Sequence, residues 1–195
     1  MRTLWGYDVD YLEPIISETD FHNMTGDAYV GNPRVGAAVA AASQAVRNYC
    51  GWHICPSMSC EARPAGGAIV AKLPAGYVSE IEGITENGTA LSGGDYEWRH
   101  DGLIKRASPY KWTDKWDGIE VSYKAGYDID AVPDLAEAIC AIVSGVLSVT
   151  AGVTSESADG VSISYSKSAS SIAAGLTEQQ QAALAAYKVV SSHGA

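Results

Sequence analysis

Apolar residues recur at helical spacing in two stretches of this 195-residue chain. From Pro33 onward, Val35, Val39, Ala42, Val46 and Tyr49 follow at alternating intervals of four and three, which puts them on one side of a helix. Pro33 suits the first helical position, Asn32 the cap before it, and Gly51 the residue that ends the helix after Cys50. A second stripe, Leu135, Ile139, Ile142, Val146 and Val149, predicts a helix from Pro133 to Thr150, widened by Val143 and Leu147. Small residues fill the other faces: Ala37, Ala38, Ala41 and Ala45 in the first helix, Ala136, Ala141, Ser144 and Gly145 in the second. Such faces admit another backbone closely, so each helix is expected to lie between neighbours. Two shorter helices flank these. Ser17-Glu18-Thr19-Asp20 reads as a capping box opening a helix to about Met24, and Thr177 caps a helix that starts Glu178-Gln179-Gln180.

Between the long helices the period changes from helical to alternating. Strands are predicted at Ser57–Ala62, Ala68–Leu73, Val78–Ile84, Tyr96–His100, Leu103–Lys105 and Ile119–Lys124, with Ile119, Val121 and Tyr123 on one face. Asn87-Gly88 and Asp101-Gly102 read as type I′ turns, whose two central residues both need positive φ. The Ser/Gly-rich stretch 152–175 holds one short alternating strand, Val161-Ser162-Ile163-Ser164-Tyr165. The expected fold is α+β: a helical bundle frame of two long and two shorter helices, an inserted antiparallel β module and a C-terminal arm. Its segments are 1–51, with the first frame helix; 52–128, the β module; 129–151, the second frame helix; and 152–195, the arm with its strand and last helix.

Composition narrows the class of protein. Hydrophobic residues make up 47% of the chain and charged ones 18%, enough apolar surface for a buried core. The 13 Lys and Arg stand against 23 Asp and Glu, a net charge of −10, which opposes sequence-blind coating of a phosphate backbone. The N-terminus lacks the apolar core of a signal peptide, and no run of apolar residues is long enough to span a bilayer. A cytoplasmic site of synthesis, reduced cysteines and no membrane partner are therefore expected, with Asn23-Met24-Thr25 and Asn87-Gly88-Thr89 left unglycosylated.

Three constellations bear on chemistry. Cys50, His53, Cys55 and Cys60 are four potential zinc ligands in eleven residues, but the C-x₄-C-x₄-C spacing lacks the paired knuckle of a structural site. Buried small hydrophobes describe these cysteines better, and no cofactor is expected. No G-x-S-x-G, H-E-x-x-H, P-loop or G-x-G-x-x-G motif occurs, and Glu80 and Glu82 share one strand face without a partner pattern, so no catalytic residue is nominated. The third constellation is electrostatic. Residues 99–124 hold six cations (Arg99, Lys105, Arg106, Lys111, Lys115, Lys124) against four acids, +2 locally and −12 elsewhere. Tyr110, Trp112 and Trp116 are interleaved with them, so Lys105, Arg106, Tyr110, Lys111, Trp112, Lys115 and Trp116 form a candidate interface, joined in the arm by Val161, Ile163 and Tyr165. An aromatic, cationic loop suits either single-stranded nucleic acid or an acidic protein surface, a neighbouring copy included; the acidic remainder of the chain favours the second.

The order of these pieces resembles a known family. A helix ending Val46-Arg47-Asn48-Tyr49-Cys50-Gly51-Trp52-His53-Ile54 is followed by Tyr77-Val78-Ser79-Glu80-Ile81, Asn87-Gly88-Thr89-Ala90-Leu91 and Asp95-Tyr96-Glu97-Trp98. Gly118-Ile119-Glu120-Val121-Ser122-Tyr123-Lys124-Ala125-Gly126-Tyr127 then precedes a helix opened by Val132-Pro133-Asp134-Leu135. Over roughly residues 17–190 this is similar to the head-to-tail connector (adaptor, head-completion) proteins of tailed phages. The resemblance implies a structural virion protein and no enzyme: a homo-oligomeric ring, commonly of twelve subunits, in the neck between capsid and tail. It also implies the portal protein and a stopper or tail-terminator protein as partners, with DNA passing through the ring without specific binding. A small Cys/His metal-binding module or a nucleic-acid-binding module is the alternative.

Overall fold

The computed structural model describes residues 7–8, 12–107, 109–148, 155–158, 161–164 and 175–189. It is an α+β protein of helices and antiparallel sheets. The chain divides into two compact units, one of Met1–Leu12, Cys50–Asp128 and Tyr187–Ala195, the other of Glu13–Tyr49 and Ile129–Ala186.

The second unit holds the α-helices, α1 (Glu18–Thr25), α2 (Val35–Cys50, its last residue in the first unit), α3 (Pro133–Ser148) and α4 (Glu178–Leu184), together with the two strands of the arm. Most of the predicted stripes form its core: Val35, Val39, Ala42 and Val46 are buried on α2, and Leu135, Ile139, Ile142, Val143 and Leu147 on α3, while Tyr49 and Val146 are half-buried and Val149 and Thr150 lie outside the described residues. Ser17 opens α1 with a capping box, its hydroxyl accepting from the Asp20 amide while the Asp20 carboxylate accepts from the Ser17 amide. Thr177 opens α4 in the same way with Gln180. Regular α2 runs from Val35, and Asn32 caps its entry as the sequence suggests, its side-chain oxygen accepting the Arg34 amide and its carbonyl the Val35 amide. The small-residue faces are less covered than their composition suggests. Ala38 and Ala136 are buried, but Ala37, Ala41 and Ala141 are exposed, so the described chain does not sandwich either helix.

Two buried polar residues on α2 hold the segment that leads into α1. The Ser43 hydroxyl accepts the Ile15 amide at 3.0 Å, and Arg47, 2% exposed, donates to the Glu13 carbonyl at 2.8 Å. Phe21 is fully buried beside Tyr29, and the Tyr49 hydroxyl donates to the Gln181 carbonyl, tying α2 to α4.

The other unit carries two sheets. Strands β1 (Tyr7–Asp8), β2 (Met58–Ala62), β3 (Val70–Lys72), β4 (Val78–Glu86), β5 (Thr89–Ala90), β6 (Tyr96–Trp98), β7 (Leu103–Arg106) and β8 (Ile119–Ala125) form a five-stranded sheet, β1-β2-β8-β4-β5, and a three-stranded one, β3-β7-β6. Strand β8 is central, paired with β2 and β4 on its two sides, and the alternation read from its sequence holds: Ile119, Val121, Tyr123 and Ala125 are buried. Asn87 and Gly88 both have positive φ, as a type I′ turn requires. The second turn differs from expectation. Gly102 has φ +80° and donates to the Arg99 carbonyl, whose own amide donates to Leu103, but Asp101 is not at positive φ. This is the longer hairpin connection in which a type I turn is closed by a glycine in a bulge. In the arm, β9 (Ser155–Ala158) pairs antiparallel with β10 (Val161–Ser164) as a hairpin. It adds a strand that alternation did not reveal, while Tyr165 lies outside the described residues.

A buried clasp closes the β unit where its chain enters and leaves. A carbonyl can only accept, so His53, fully buried, donates from Nε2 to the Ala125 carbonyl at 3.1 Å, and Tyr127 donates its amide to the Ile54 carbonyl at 2.8 Å. Gly126 lies between them at φ +104°, where a Cβ would run into the Pro56 carbonyl and sit 2.6 Å from His53 Nε2. Ile54 takes φ +64°, a strained region for a β-branched residue, to present its carbonyl there. Tyr127 stacks on Tyr77 with centroids 4.7 Å apart and meets Trp52 and Tyr187 edge-on. The C-terminal segment completes the clasp: Trp52 Nε1 donates to the Tyr187 carbonyl at 2.6 Å, and the Val189 amide to Cys50.

Gly126→Ala therefore combines backbone strain with a clash and is expected to destabilise the protein by about 2–4 kcal/mol. Gly93→Ala, where nothing lies within 4 Å and φ is ordinary, serves as the control with a small effect. Urea denaturation of the two variants checks this, and equal midpoints would remove the clasp from the account.

Candidate functional site

The loop after β7 is built on Arg106. Its guanidinium is 12% exposed, pairs through Nε with the equally secluded Glu86 at 3.1 Å, and reaches both the carboxylate and the carbonyl of Asp95. The cation also lies over the rings of Tyr110 and Trp112, 5.5 and 5.7 Å from their centroids. Trp112 is buried and donates from Nε1 to the Ile104 carbonyl. Glu86 in turn accepts the Thr113 amide at 2.7 Å, so a strand carboxylate sets the path of the loop. Backbone bonds fasten the far side, from Trp112 to Ala68 and from Gly67 to Trp112 and Thr113.

The loop ends in a turn that holds one aromatic ring away from the unit. Gly118 donates to the Lys115 carbonyl at 3.0 Å and Asp117 has φ +53°, the geometry of a type II turn. The turn is anchored by the Asn87 amide, which donates to Gly118 at 2.7 Å, and by the Thr113 hydroxyl, which accepts from Lys115. Trp116, at the exposed corner, is 94% accessible. Such an indole, held in water on a fastened turn, is a large exposed hydrophobe of the kind that contact surfaces use.

The candidate interface is thus divided. Arg106 and Trp112 are part of the internal framework, because each finds its partners inside the unit. Lys105 pairs with Glu97 on the adjacent strand at 3.4 Å, and Arg99 pairs with Asp101, so the local positive balance is largely consumed within the hairpins. Tyr110, Lys111, Lys115 and Trp116 remain exposed, and no salt bridge among the described residues engages either lysine. Val161 and Ile163 lie on β10, apart in sequence from this loop, and Tyr165 falls outside the described residues. Alternating lysines and tryptophans announce an interface, but only the distant carboxylates Glu86 and Asp95 reveal which of them turn inward.

Cys50, His53, Cys55 and Cys60 are all buried, and His53 is committed to Ala125. Burial pushes the Cys50 thiol up to about 12, against the pull of Lys188, and pushes Cys60 up to about 12 with help from Glu82. Both are protonated at neutral pH. Among the described residues, no group of three or more His, Cys, Asp or Glu is placed to hold a metal ion. No described helix is long and apolar enough to cross a membrane.

Two outcomes follow from this geometry. Arg106→Ala leaves Glu86 nearly buried without its cation and is expected to cost about 2–4 kcal/mol, with faster hydrogen exchange at the Thr113 amide. Unchanged exchange would detach the loop from that ion pair. The raised thiol values predict that Cys50 and Cys60 react with a thiol reagent at pH 8 only as the protein unfolds, and that tag-free protein carries far less than one zinc per chain. Rapid native labelling or one zinc equivalent would contradict it.

The whole arrangement has known counterparts. A chain in the neck of an empty gene transfer agent particle, treated with C6 symmetry, matches with a TM-score of 0.62 at 14% identity, covering 97% of this chain and 98% of that one. A chain in the neck of the native particle with C12 symmetry gives 0.58 at 14% identity, and one in the native virion 0.58 at 15%, with the same coverage. These likenesses establish the shared fold. No curated protein sequence matches the chain. The model of the head completion protein family matches residues 14–190, nearly the same span as the connector resemblance read from the sequence, and the chain therefore belongs to the head completion protein family.

Proposed function

We propose that the protein is a structural subunit of the neck of a tailed-phage-like particle. In this role it forms an adaptor ring that joins the capsid portal to stopper or tail-terminator proteins around the path of the DNA. Membership in the head completion family over residues 14–190 carries the proposal, since the match takes in most of the described residues of both units. The fold is also that of chains in gene transfer agent necks treated with C6 and C12 symmetry, which supports a ring of twelve copies.

The physical character of the chain suits a conduit. A net charge of −10 repels phosphate, so DNA can slide past a ring of such subunits without adhering to it. The ion pairs that consume Lys105 and Arg106 keep the β unit from offering a continuous basic groove. An exposed, firmly held Trp116 belongs to a protein whose work is contact with other subunits.

Particles produced without the gene are expected to be filled or leaking capsids that lack tails, with tails restored by expression of the protein in trans. Antibody label on complete particles is expected at the capsid–tail junction. Normally tailed particles in the deletion strain, or label confined elsewhere, would overturn the proposal.

A further inference from the structure

In the helical unit, α1, the turn Ile129–Ala131 and the first turns of α3 enclose a groove of about 310 Å³. Its apolar lining includes Ile16, Met24, Ile129 and Pro133, and Met24 is 44% exposed although it is a large hydrophobe. Asp20, Asp130 and Glu137 line the same groove, with no lysine or arginine among them. No salt bridge among the described residues engages these carboxylates. The Ser17 hydroxyl and amide hold the Asp20 carboxyl below its usual range, which keeps it anionic.

An apolar groove with a polarizable thioether and anionic acceptors suits an indole flanked by cations. The ring fills the apolar part, sulfur favours contact with an aromatic ring, and the indole N–H needs an acceptor once it leaves water. Trp116, with Lys115 beside it and Lys111 on the same loop, supplies those groups on a turn already fixed in shape. Asp114 and Asp117 balance the two lysines in sum, so net charge is not the attraction. A lysine stem is longer than that of an aspartate, so the ammonium groups can meet acceptors farther from the backbone than the carboxylates can.

We propose that Trp116 of one copy of this chain seats in the α1–α3 groove of the next copy, with Lys111 and Lys115 meeting the carboxylates of that groove. Knob and groove lie on different elements, so every copy offers one of each and the contact can repeat head to tail from copy to copy. Repetition of such a contact closes into a ring when the rotation per copy divides a full turn. The inference rests on the ring reading above and assigns residues to its interface.

The test leaves Trp116 in place and puts a photoreactive benzophenone amino acid at the exposed Asn23, which lines the groove. Assembled particles are irradiated and the cross-linked peptides identified. A chain-to-chain product joining Asn23 to residues 110–117 is expected. In Trp116→Ala particles its yield is expected to fall at least tenfold, while circular dichroism shows the variant chain folded. A folded variant that is left out of particles counts as the same loss. A cross-link to another segment of the chain, to a portal or tail protein, or one of undiminished yield in Trp116→Ala overturns the contact and leaves the neck assignment standing. Absence of the unmodified protein from purified particles overturns both.

Discussion

A chain that leaves one compact unit to build another must come back to the place it left, and the buried clasp at His53, Ile54, Gly126 and Tyr127 meets that demand. The residues from Cys50 to Asp128 make the whole of both sheets except β1, and their two ends are fixed to each other by backbone bonds. Closing so long a segment costs entropy that grows only slowly with its length, which a few buried hydrogen bonds and the packing of Trp52 and Tyr127 can offset. With the ends fixed, β8 can enter the five-stranded sheet beside β2 and β4, and the loop that precedes β8 has a defined start and finish. Strain at Ile54 and the close approach at Gly126 are both found here, where the geometry leaves least choice.

The parts of the fold that were legible in the sequence are those decided by near neighbours. Spacing of apolar residues placed α2 and α3, the Ser17 and Thr177 caps placed α1 and α4, and alternation in β8 named its buried face, because each pattern is read within a few residues. What escaped is decided at long range. Trp112 looked like part of a contact surface because lysines surround it, yet the carbonyl it donates to lies on β7 and its cationic neighbour is fixed by Glu86 and Asp95. The Asp101-Gly102 dipeptide is compatible with two hairpin connections, and the pairing of β6 with β7 selects the longer one.

Charge follows the same division. The cations between residues 99 and 124 appear in sequence as a positive segment in an acidic chain, but three of them are matched by carboxylates on neighbouring strands or turns. The two exposed pairs, Arg99–Asp101 and Lys105–Glu97, contribute little to stability, unlike the secluded Arg106–Glu86. They do decide that Lys111 and Lys115 are the lysines left beside Trp116. A small exposed patch within a well-formed scaffold is therefore what the segment presents, in place of a broad basic face.

The hydrogen bond from Trp52 to Tyr187 has a consequence for synthesis. The chain crosses between its two units four times, the last at Tyr187, so a ribosome must deliver the chain through Tyr187 before the β unit receives its final strap. Until then a tryptophan at the heart of the clasp lacks its acceptor, and the unit is incomplete however early its sheets pair. A nascent chain of this design postpones its finished shape until Tyr187 has been made, and a product truncated before that residue leaves Trp52 without its acceptor.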